Sequence, residues 1–489
     1  MKNLLKTIYF LGFAILLTQC SKEQAFPDNL VVKDFVWKSL NAYYLHQEEV
    51  AALSDRRFNS DKEFIAYLSS FTDYNTLFSS VLIASDVKSF LVEDFNNVPI
   101  PEPRTGVLNG LEFGVFKEQD SDTVLVYAVD ILPLSYAATQ TISRGDYFYA
   151  IVNTNNDTIN LRQDNYEALL LNYSQDTLKL VKTSYDGENL IVGNETVALV
   201  KRNYSFKTAH LEKIFSEGGE KIGYLMYNNN FSKHAIHGLN NTFLNFKNEA
   251  VSELILDLRY NIGGGSFAKN MANLASMITG QFSGEVFIKE QWNSKAQSWF
   301  ETNQPDSLLT RFPHTLDATT PFHSLHLTDL YIILNGTNYK GSSAIELLIN
   351  SLKPHINVHL IGSNTEGNNT GAITVYNSED YNFPMRNETH SVALQPMVLR
   401  FLNKSDQTYE NGFSPNMTLC DHEDVLNLGT LGERTDPILD RVLEAVNSGD
   451  LGVHTPCNPK EYIYLHHSIN AQKTRDSGVF IEQILPNTN

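Results

Sequence analysis

The chain has 489 residues, 42% of them hydrophobic and 19% charged, and this length predicts roughly two to four domains. Its formal net charge of −19 argues against a nucleic-acid partner, because phosphate binding needs clustered Lys and Arg. After the N-terminus there is no apolar run of about 18 residues, so no internal transmembrane helix is predicted.

The first twenty residues have the pattern of an export signal. Lys2 and Lys6 precede an apolar stretch, Ile8–Leu17, that is too short to span a membrane. Cys20, at the end of this stretch, resembles the lipidated residue of bacterial lipoproteins. We therefore expect residues 1–20 to be a signal peptide and Cys20 to anchor an exported cell-envelope protein to the membrane, on its periplasmic or surface face. The alternative is an ordinary signal peptide with an incidental cysteine.

The other cysteines are Cys420 and Cys457, and these two could pair in an oxidising compartment. Their separation in space cannot be read from the sequence, so the pairing stays open. No HExxH motif occurs among the 14 histidines, and the cysteines are too isolated for a zinc site. We expect neither a metal nor an organic cofactor.

Residues 21–95 have the pattern of a helical module. Apolar residues recur at helical spacing in Val31, Phe35, Val36 and Leu40. A second helix is predicted to begin near Ser60-Asp61, which supply capping side chains. We expect the aromatic residues of this region to be core residues: Phe35, Trp37, Tyr43 and Tyr44. A linker is predicted next, at Pro99, Pro101 and Pro103.

Residues 105–200 change to short β-rich runs. Strands are predicted at Val124–Ala128, Tyr147–Val152 and Thr177–Val181. A small-residue segment, Pro133–Ala138, and a Gly-Asp turn lie between the first two strands, and this order resembles a PDZ domain of the bacterial protease type. The resemblance implies a peptide-binding loop with Leu111, Phe113 and Gly114, along which a peptide would add as a strand. The alternative is a small β domain with a structural role.

Residues 205–450 alternate strands with helices, which predicts an α/β layered core. Strands are expected at Lys221–Tyr227, Glu253–Leu258, Leu330–Leu334 and Val358–Ile361, and helices after Gly265 and over Ser343–Leu352. Ser391–Phe401 and a return near Gly412-Phe413 have the pattern of an appended β-hairpin. The tail, residues 451–489, shows no strong pattern.

Three segments of this core carry residues suited to chemistry. In the first, Leu254–Gly265, a buried strand runs into Asp-Leu-Arg-x-Asn-x-Gly-Gly. Its glycines leave backbone N–H groups open to approach, and such donors can stabilise an oxyanion. In the second, Ser343-Ala344-Ile345-Glu346 begins a predicted helix, whose N-terminus favours negative charge. On spacing alone, Ser343 and Glu346 also fit a capping box. The third segment is Leu360–Gly371.

Together these segments resemble the C-terminal-processing, or tail-specific, serine peptidase family over about residues 25–450. The resemblance implies a multidomain α/β protein: an N-terminal helical module, a PDZ-like β domain, and an α/β peptidase core of the ClpP/crotonase-like type over residues 205–450. It further implies that Ser343 is the nucleophile, that Gly263 or Gly264 and Ala344 hold the oxyanion, and that the substrate is a polypeptide.

The chain departs from the family pattern at Asn368, which stands where the family has its general-base Lys. An amide cannot usefully accept the proton of Ser343 at neutral pH. Lys340 or one of several histidines could substitute: His323, His326, His355 or His359. Two functions therefore stay open. One is a serine peptidase guided by its PDZ-like domain, and the other is a catalytically impaired protein that binds peptides or ligands. A structural subunit of an envelope complex is a third alternative.

Overall fold

The computed structural model describes residues 26–98, 104–171, 174–261, 266–334, 342–420, 422–452, 462–471 and 478–481. The following predicted features lie outside these ranges: the signal peptide with Cys20, the proline linker, Gly263, Gly264, Lys340 and Cys457. Cys420 is disulfide-bonded. Within the described ranges, none of the helices is long and apolar enough to cross a membrane.

The α-helices of the described ranges are α1 (Val31–Tyr43), α2 (Asp61–Ser69), α3 (Tyr74–Ser80), α4 (Lys233–Asn248), α5 (Ala268–Ile278), α6 (Ser294–Asn303), α7 (Ser343–Leu352), α8 (Pro437–Ser448) and α9 (Ser468–Ala471). The strands are β1 (Phe90–Val92), β2 (Thr105–Leu108), β3 (Leu111–Glu118), β4 (Val124–Ile131), β5 (Tyr147–Val152), β6 (Thr158–Asn160), β7 (Thr177–Tyr185), β8 (Leu190–Val200), β9 (Arg202–Ser205), β10 (Leu211–Glu217), β11 (Glu220–Met226), β12 (Glu253–Asp257), β13 (Ser266–Phe267), β14 (Val286–Trp292), β15 (Leu309–Arg311), β16 (Asp329–Ile333), β17 (Asn357–Gly362), β18 (Thr370–Ala372), β19 (Val375–Tyr376), β20 (Ala393–Gln395), β21 (Met397–Leu402), β22 (Met417–Thr418), β23 (Tyr462–His467) and β24 (Val479–Phe480).

The central sheet has the strand order β10-β11-β12-β16-β17-β22, and its strands from β11 to β22 pair in parallel. Both faces of its middle strands are covered, which explains their continuous apolar runs. Leu254 and Leu256 belong to a cluster that includes buried residues of α4, α5 and α7. Ile255, between them, belongs to a second cluster that includes Leu439 and Leu443 of α8. The predicted α/β layered core is confirmed.

The N-terminal helices pack into this same core. The cluster that contains α4, α5 and α7 also contains buried residues of α1, including Phe35 and Tyr43. Helix α2 begins at Asp61, as predicted, because the Ser60 side chain accepts a hydrogen bond from the N–H of Glu63. Trp37 is partly buried and packs edge-on against Phe64. The aromatic residues of this region are therefore packing residues.

A second sheet contains the β-rich region and has the order β23-β3-β4-β5-β7-β8, with β6 paired to β5. The three predicted strands of this region are confirmed as β4, β5 and β7. The small-residue segment contains only a 3₁₀ helix, Ala137–Thr139. The loop predicted at Leu111–Gly114 is instead the first half of β3, which pairs with β4 on one side and β23 on the other.

A third sheet has the strand order β13-β24-β18-β21-β14-β15. Its strand β13 follows the first candidate segment, and its strand β18 begins within the end of the third. The hairpin predicted at residues 391–413 is wrong, because β21 pairs with β14 and β18. The Gly412-Phe413 segment contacts a different loop, where the N–H of Thr365 donates to the carbonyl of Phe413 at 3.0 Å. Alternating apolar residues indicate that a segment is a strand, but they do not indicate which strand it pairs with.

Candidate active site

The three chemistry-bearing segments meet at one edge of the central sheet. They follow β12, β16 and β17, which are adjacent and parallel, so their carboxyl ends lie together. In register, Asp257 lies opposite Ile333, which lies opposite Ile361. In open α/β sheets this edge is where ligands bind. The topology therefore brings the predicted segments together.

The first segment begins in a buried ion network. Arg259 is 1% exposed, and its guanidinium lies 2.8 Å from Asp257, 2.8 Å from Asp436 and 3.2 Å from Glu423. Arg144, from the turn before β5, contacts the same Glu423 carboxylate at 2.7 Å. Burial raises the pKa of Glu423, but the positive charges of Arg144 and Arg259 outweigh it and lower the pKa to about 2. Asp257 and Arg259 thus hold the carboxyl end of β12 in place. Through Glu423 they are also connected to Arg144 of the β-rich region.

The residues on either side of the glycines are anchored to the segment after β11. The Asn261 amide donates to the carbonyls of Tyr227 at 3.0 Å and Asn229 at 2.7 Å. The Ser266 hydroxyl donates to the carbonyl of Phe231 at 3.0 Å. These bonds hold both ends of the Gly-rich turn. Its glycines lie outside the described residues, so their role as oxyanion donors stays a prediction.

The second segment delivers Ser343 as the first residue of α7. The capping-box interpretation is wrong, because the N-cap is Ser342, whose hydroxyl accepts from the N–H of Ile345 at 3.4 Å. Ser343 is 1% exposed. Ala344 is the second residue of the helix, and N–H groups of the first turn have no acceptor within the helix. This geometry suits Ala344 as an oxyanion donor beside Ser343.

Glu346 connects the second segment to the third. Its two carboxylate oxygens accept the backbone N–H groups of Gly367 at 2.6 Å and Asn368 at 2.7 Å. Burial raises the pKa of Glu346, against the opposing effect of hydrogen bonds from Thr365 and from these two N–H groups. Glu346 follows Ser343 by three residues, so both side chains lie on one face of α7. The Glu346 carboxylate therefore holds Asn368 close to the first turn of that helix.

Asn368 itself is 6% exposed. Its Oδ1 accepts a hydrogen bond from the Thr370 hydroxyl at 3.0 Å. Within the described part of the chain, its Nδ2 has no hydrogen-bond partner. A buried amide nitrogen without an acceptor is costly, since it lost its contact with water. The Asn368 amide is therefore only partly satisfied by hydrogen bonds within the described residues.

Two glycines set the course of the loop before Asn368. Gly367 has a φ of +95°, and a Cβ there would lie 2.2 Å from the carbonyl oxygen of Glu410. Gly412 has a φ of +68°, and a Cβ there would lie 2.3 Å from the carbonyl oxygen of Thr365. Both left-handed conformations and both close backbone contacts require glycine. The loop that carries Asn368 is therefore tightly packed against residues 410–412.

The histidines considered as substitute bases lie away from the first turn of α7. His359 contacts Asp329 at 2.8 Å, near the amino ends of β17 and β16. His355 follows the other end of α7, about 15 Å along the helix axis from Ser343. His323 and His326 precede the amino end of β16. The amino ends of parallel strands lie opposite the edge that carries the candidate site.

The sequence interpretation missed the roles of Glu346, Arg144 and Glu423. Glu346 was recognisable in the Ser-x-x-Glu spacing, but that spacing predicted a helix cap rather than a contact with the third segment. Arg144 and Glu423 are 279 residues apart, and no local pattern connects them. Within the described ranges, no group of three or more His, Cys, Asp or Glu residues is arranged to hold a metal ion.

The family model that matches the chain agrees with this architecture. Residues 221–419 match the model of Peptidase family S41. The crystal structure of an S41 protease candidate from Bacteroides fragilis NCTC 9343 is similar, with a TM-score of 0.62, 20% identity, and coverage of 85% of this chain and 97% of that one. The photosystem II D1 C-terminal processing protease has a TM-score of 0.43 and 15% identity, with 84% and 99% covered. No curated protein sequence matches the chain.

Proposed function

The chain carries a peptidase family S41 domain at residues 221–419, and we propose that it acts on polypeptides as a tail-specific serine peptidase-like protein. The Ser343 hydroxyl would attack a peptide carbonyl carbon, giving an acyl-enzyme and a free amine, and water would then hydrolyse the acyl-enzyme. The observation that carries the proposal is the place of Ser343 at the start of α7, beside the carboxyl edge of the sheet. There the helix N-terminus and the Ala344 N–H favour the oxyanion.

The β-rich region would guide the substrate as a PDZ-like domain. One observation supports this role. Strand β3 contains Leu111, Phe113 and Gly114, and its outer edge pairs with an antiparallel strand, β23 of the same chain. Strand addition of this kind recognises the peptide backbone.

A second candidate function is peptide binding with impaired catalysis, and Asn368 favours it. Attack by Ser343 requires an acceptor for the hydroxyl proton. The Asn368 amide cannot take that proton at neutral pH. Without a base, an oxyanion site and substrate binding still give slow hydrolysis. The two candidates therefore differ in turnover and share the same bound polypeptide.

Turnover of an unfolded protein substrate tests the proposal. The form lacking residues 1–20 is compared with its Ser343→Ala variant. A matched control is Ser351→Ala, because Ser351 is also buried in α7 and its hydroxyl has no hydrogen-bond partner among the described residues. Cleavage that disappears only in Ser343→Ala supports the peptidase. Equal cleavage by all three forms rejects Ser343 as nucleophile, and no cleavage by any form supports the binding protein.

We further propose that the protein is exported and anchored through Cys20, at the end of the predicted signal peptide. The supporting observation is the charged and apolar pattern of residues 1–20. A radiolabelled fatty acid should be incorporated into the full chain and not into its Cys20→Ala variant. Labelling that persists in the variant would place the lipid elsewhere, and unlabelled but exported protein would indicate an ordinary signal peptide.

A further inference from the structure

The last described segments of the chain return to the two regions that the proposed function needs for peptide. Strand β23 pairs antiparallel along the outer edge of β3. Strand β24 lies between β13 and β18 and pairs in parallel with both. Both strands follow α8, which ends at Ser448. Two separate pieces of the tail thus occupy two separate strand positions.

At β3, the tail contacts the residues that the sequence predicted to hold a peptide. His467 lies opposite Gly114 in the strand register. The next residue, Ser468, accepts a hydrogen bond from the N–H of Phe113 at 2.8 Å and donates its hydroxyl to the Glu112 carboxylate at 2.6 Å. These contacts involve main-chain pairing plus one polar side chain. This is the pattern of strand addition by a peptide.

In the third sheet, β24 lies next to the ends of two of the candidate segments. Val479 pairs with Ser266, which directly follows the Gly-rich turn, and with Gly371, three residues after Asn368. The N–H of Ile481 continues the pairing by donating to the carbonyl of Ala372 at 3.2 Å. A chain in this position lies between the residue that follows the predicted oxyanion turn and the strand that follows Asn368.

The two tail strands differ in how their side chains are held. In β23 most side chains are half-buried and Ile463 is 39% exposed, as is usual for a strand added at an edge. In β24 the side chains are enclosed: Val479 is 0% and Phe480 3% exposed. Phe480 packs with Phe267 and Met397. The gap between β13 and β18 therefore encloses an apolar residue followed by an aromatic one.

We infer that the edge of β3 and the gap between β13 and β18 are two strand-binding sites for peptide, the second of them for an apolar–aromatic pair, and that residues 462–468 and 478–481 occupy these two sites as intramolecular ligands. The inference rests on the proposed polypeptide-binding function. A peptide from another protein must displace the tail before it binds. The alternative is that β23 and β24 are permanent parts of the fold.

Peptide exchange separates these alternatives. A site-specific protease sequence is inserted between Glu461 and Tyr462 of the full chain lacking residues 1–20, so that the protein folds before the tail is cut. A fluorescent peptide of residues 462–481 is the probe. A tethered segment competes at an effective concentration on the order of 1 mM. With the probe at about 10 µM, we expect the cut chain to take up roughly 100-fold more than the uncut chain.

The control substitutions are made in the probe peptide, so that no further protein variant has to fold. A probe with Phe480→Asp should lose uptake at least tenfold, because a carboxylate would be buried between Phe267 and Met397. A probe with Ile463→Ser should be taken up like the parent, since Ile463 is 39% exposed. Equal uptake of all three probes would indicate non-specific binding and would overturn the inference.

Both forms are made with Ser343→Ala, so that uptake is measured apart from hydrolysis. A cut chain that stays folded and takes up no probe overturns the inference, and so does a cut chain that unfolds, because the tail is then a permanent strand. Should a cut chain that keeps Ser343 cleave no protein while its Ser343→Ala form takes up probe, the peptidase proposal fails and the inference stands.

Discussion

Asn368 is buried where the family resemblance expects a base, and its Oδ1 already accepts from Thr370. The N–H of Asn368 donates to the Glu346 carboxylate. This contact holds the backbone of residue 368 in place and does not involve the Asn368 side chain. The frame that would place a lysine is therefore retained, while the group that would accept the proton is not. A single residue thus separates the two candidate functions.

Asn368→Lys should raise hydrolysis of an unfolded protein by roughly 100-fold or more, the usual contribution of a positioned general base. The reason is that a neutral amine can accept the Ser343 proton, whereas an amide cannot. Initial rates are measured beside Asn368→Met, which has an unbranched side chain of similar length and no proton acceptor. If the folded lysine variant stays as inactive as the methionine variant, the site has changed beyond this one residue.

At the scale of an element, the loop before Asn368 depends on glycine at position 412. Gly412→Ala adds a methyl group 2.3 Å from the Thr365 carbonyl oxygen, in a left-handed conformation. Gly449→Ala is a matched control, because Gly449 has a φ of +69° and nothing within 4 Å of its added Cβ. The Gly449→Ala control should lower the free energy of unfolding by about 1 kcal/mol, because of the left-handed conformation alone. Gly412→Ala should cost about 1–3 kcal/mol more for the overpacking.

Urea unfolding of both glycine variants measures this difference. Equal losses of unfolding free energy would show that the 365–367 loop moves freely away from residues 410–412. The loop would then not hold Asn368 in place, contrary to the contacts seen in the structure.

Strand β23 contains a titratable residue with a shifted pKa, His467. Burial lowers its pKa to about 4; the charge of Glu423 opposes this effect, while His466, Arg144 and His422 add to it. The native state therefore holds His467 neutral, whereas the unfolded chain binds a proton below about pH 6.5. Stability should fall as the pH drops from about 6.5 towards 4, by up to about 3 kcal/mol from this group.

His467→Gln should remove that part of the pH dependence, because glutamine does not titrate. Unfolding free energies are compared at pH 7.5 and pH 4.5. The variant of the exposed residue His234, His234→Gln, should keep the slope of the parent. A parental slope in His467→Gln would mean that His467 is protonated in the folded protein.

At the scale of the whole molecule, Arg144 and Glu423 connect the β-rich sheet to the central core. Their ion pair is 2.7 Å long, and both side chains are 7% exposed. Arg144→Met leaves the Glu423 charge buried with fewer partners, and removing one member of a buried pair costs about 3–5 kcal/mol. Arg434→Met, at a 43% exposed ion pair, should cost less than about 1 kcal/mol. Denaturant unfolding measures both, and equal small losses would mean that the two regions are held together mainly by apolar contacts.

The helices, the strands and the segments that carry chemistry could be predicted from local patterns in the amino-acid sequence. Strands such as β5 and the helix α7 have the predicted bounds, because apolar runs and periodicity are local properties of the chain. The glycines and serines of the three segments were identifiable for the same reason. The order of strands along the central sheet was not, yet that order brings the segments to one edge.

The contacts of the polar residues could be identified only in the folded chain. Glu346 holds the backbone of Asn368 instead of capping its own helix, and Ser342 takes the capping role. The tail, which has no strong sequence pattern, pairs with β3, β13 and β18. A pairing between residues hundreds of positions apart depends on which backbone edges and buried charges the fold leaves unsatisfied. That requirement arises from the packed chain as a whole, and no local segment encodes it.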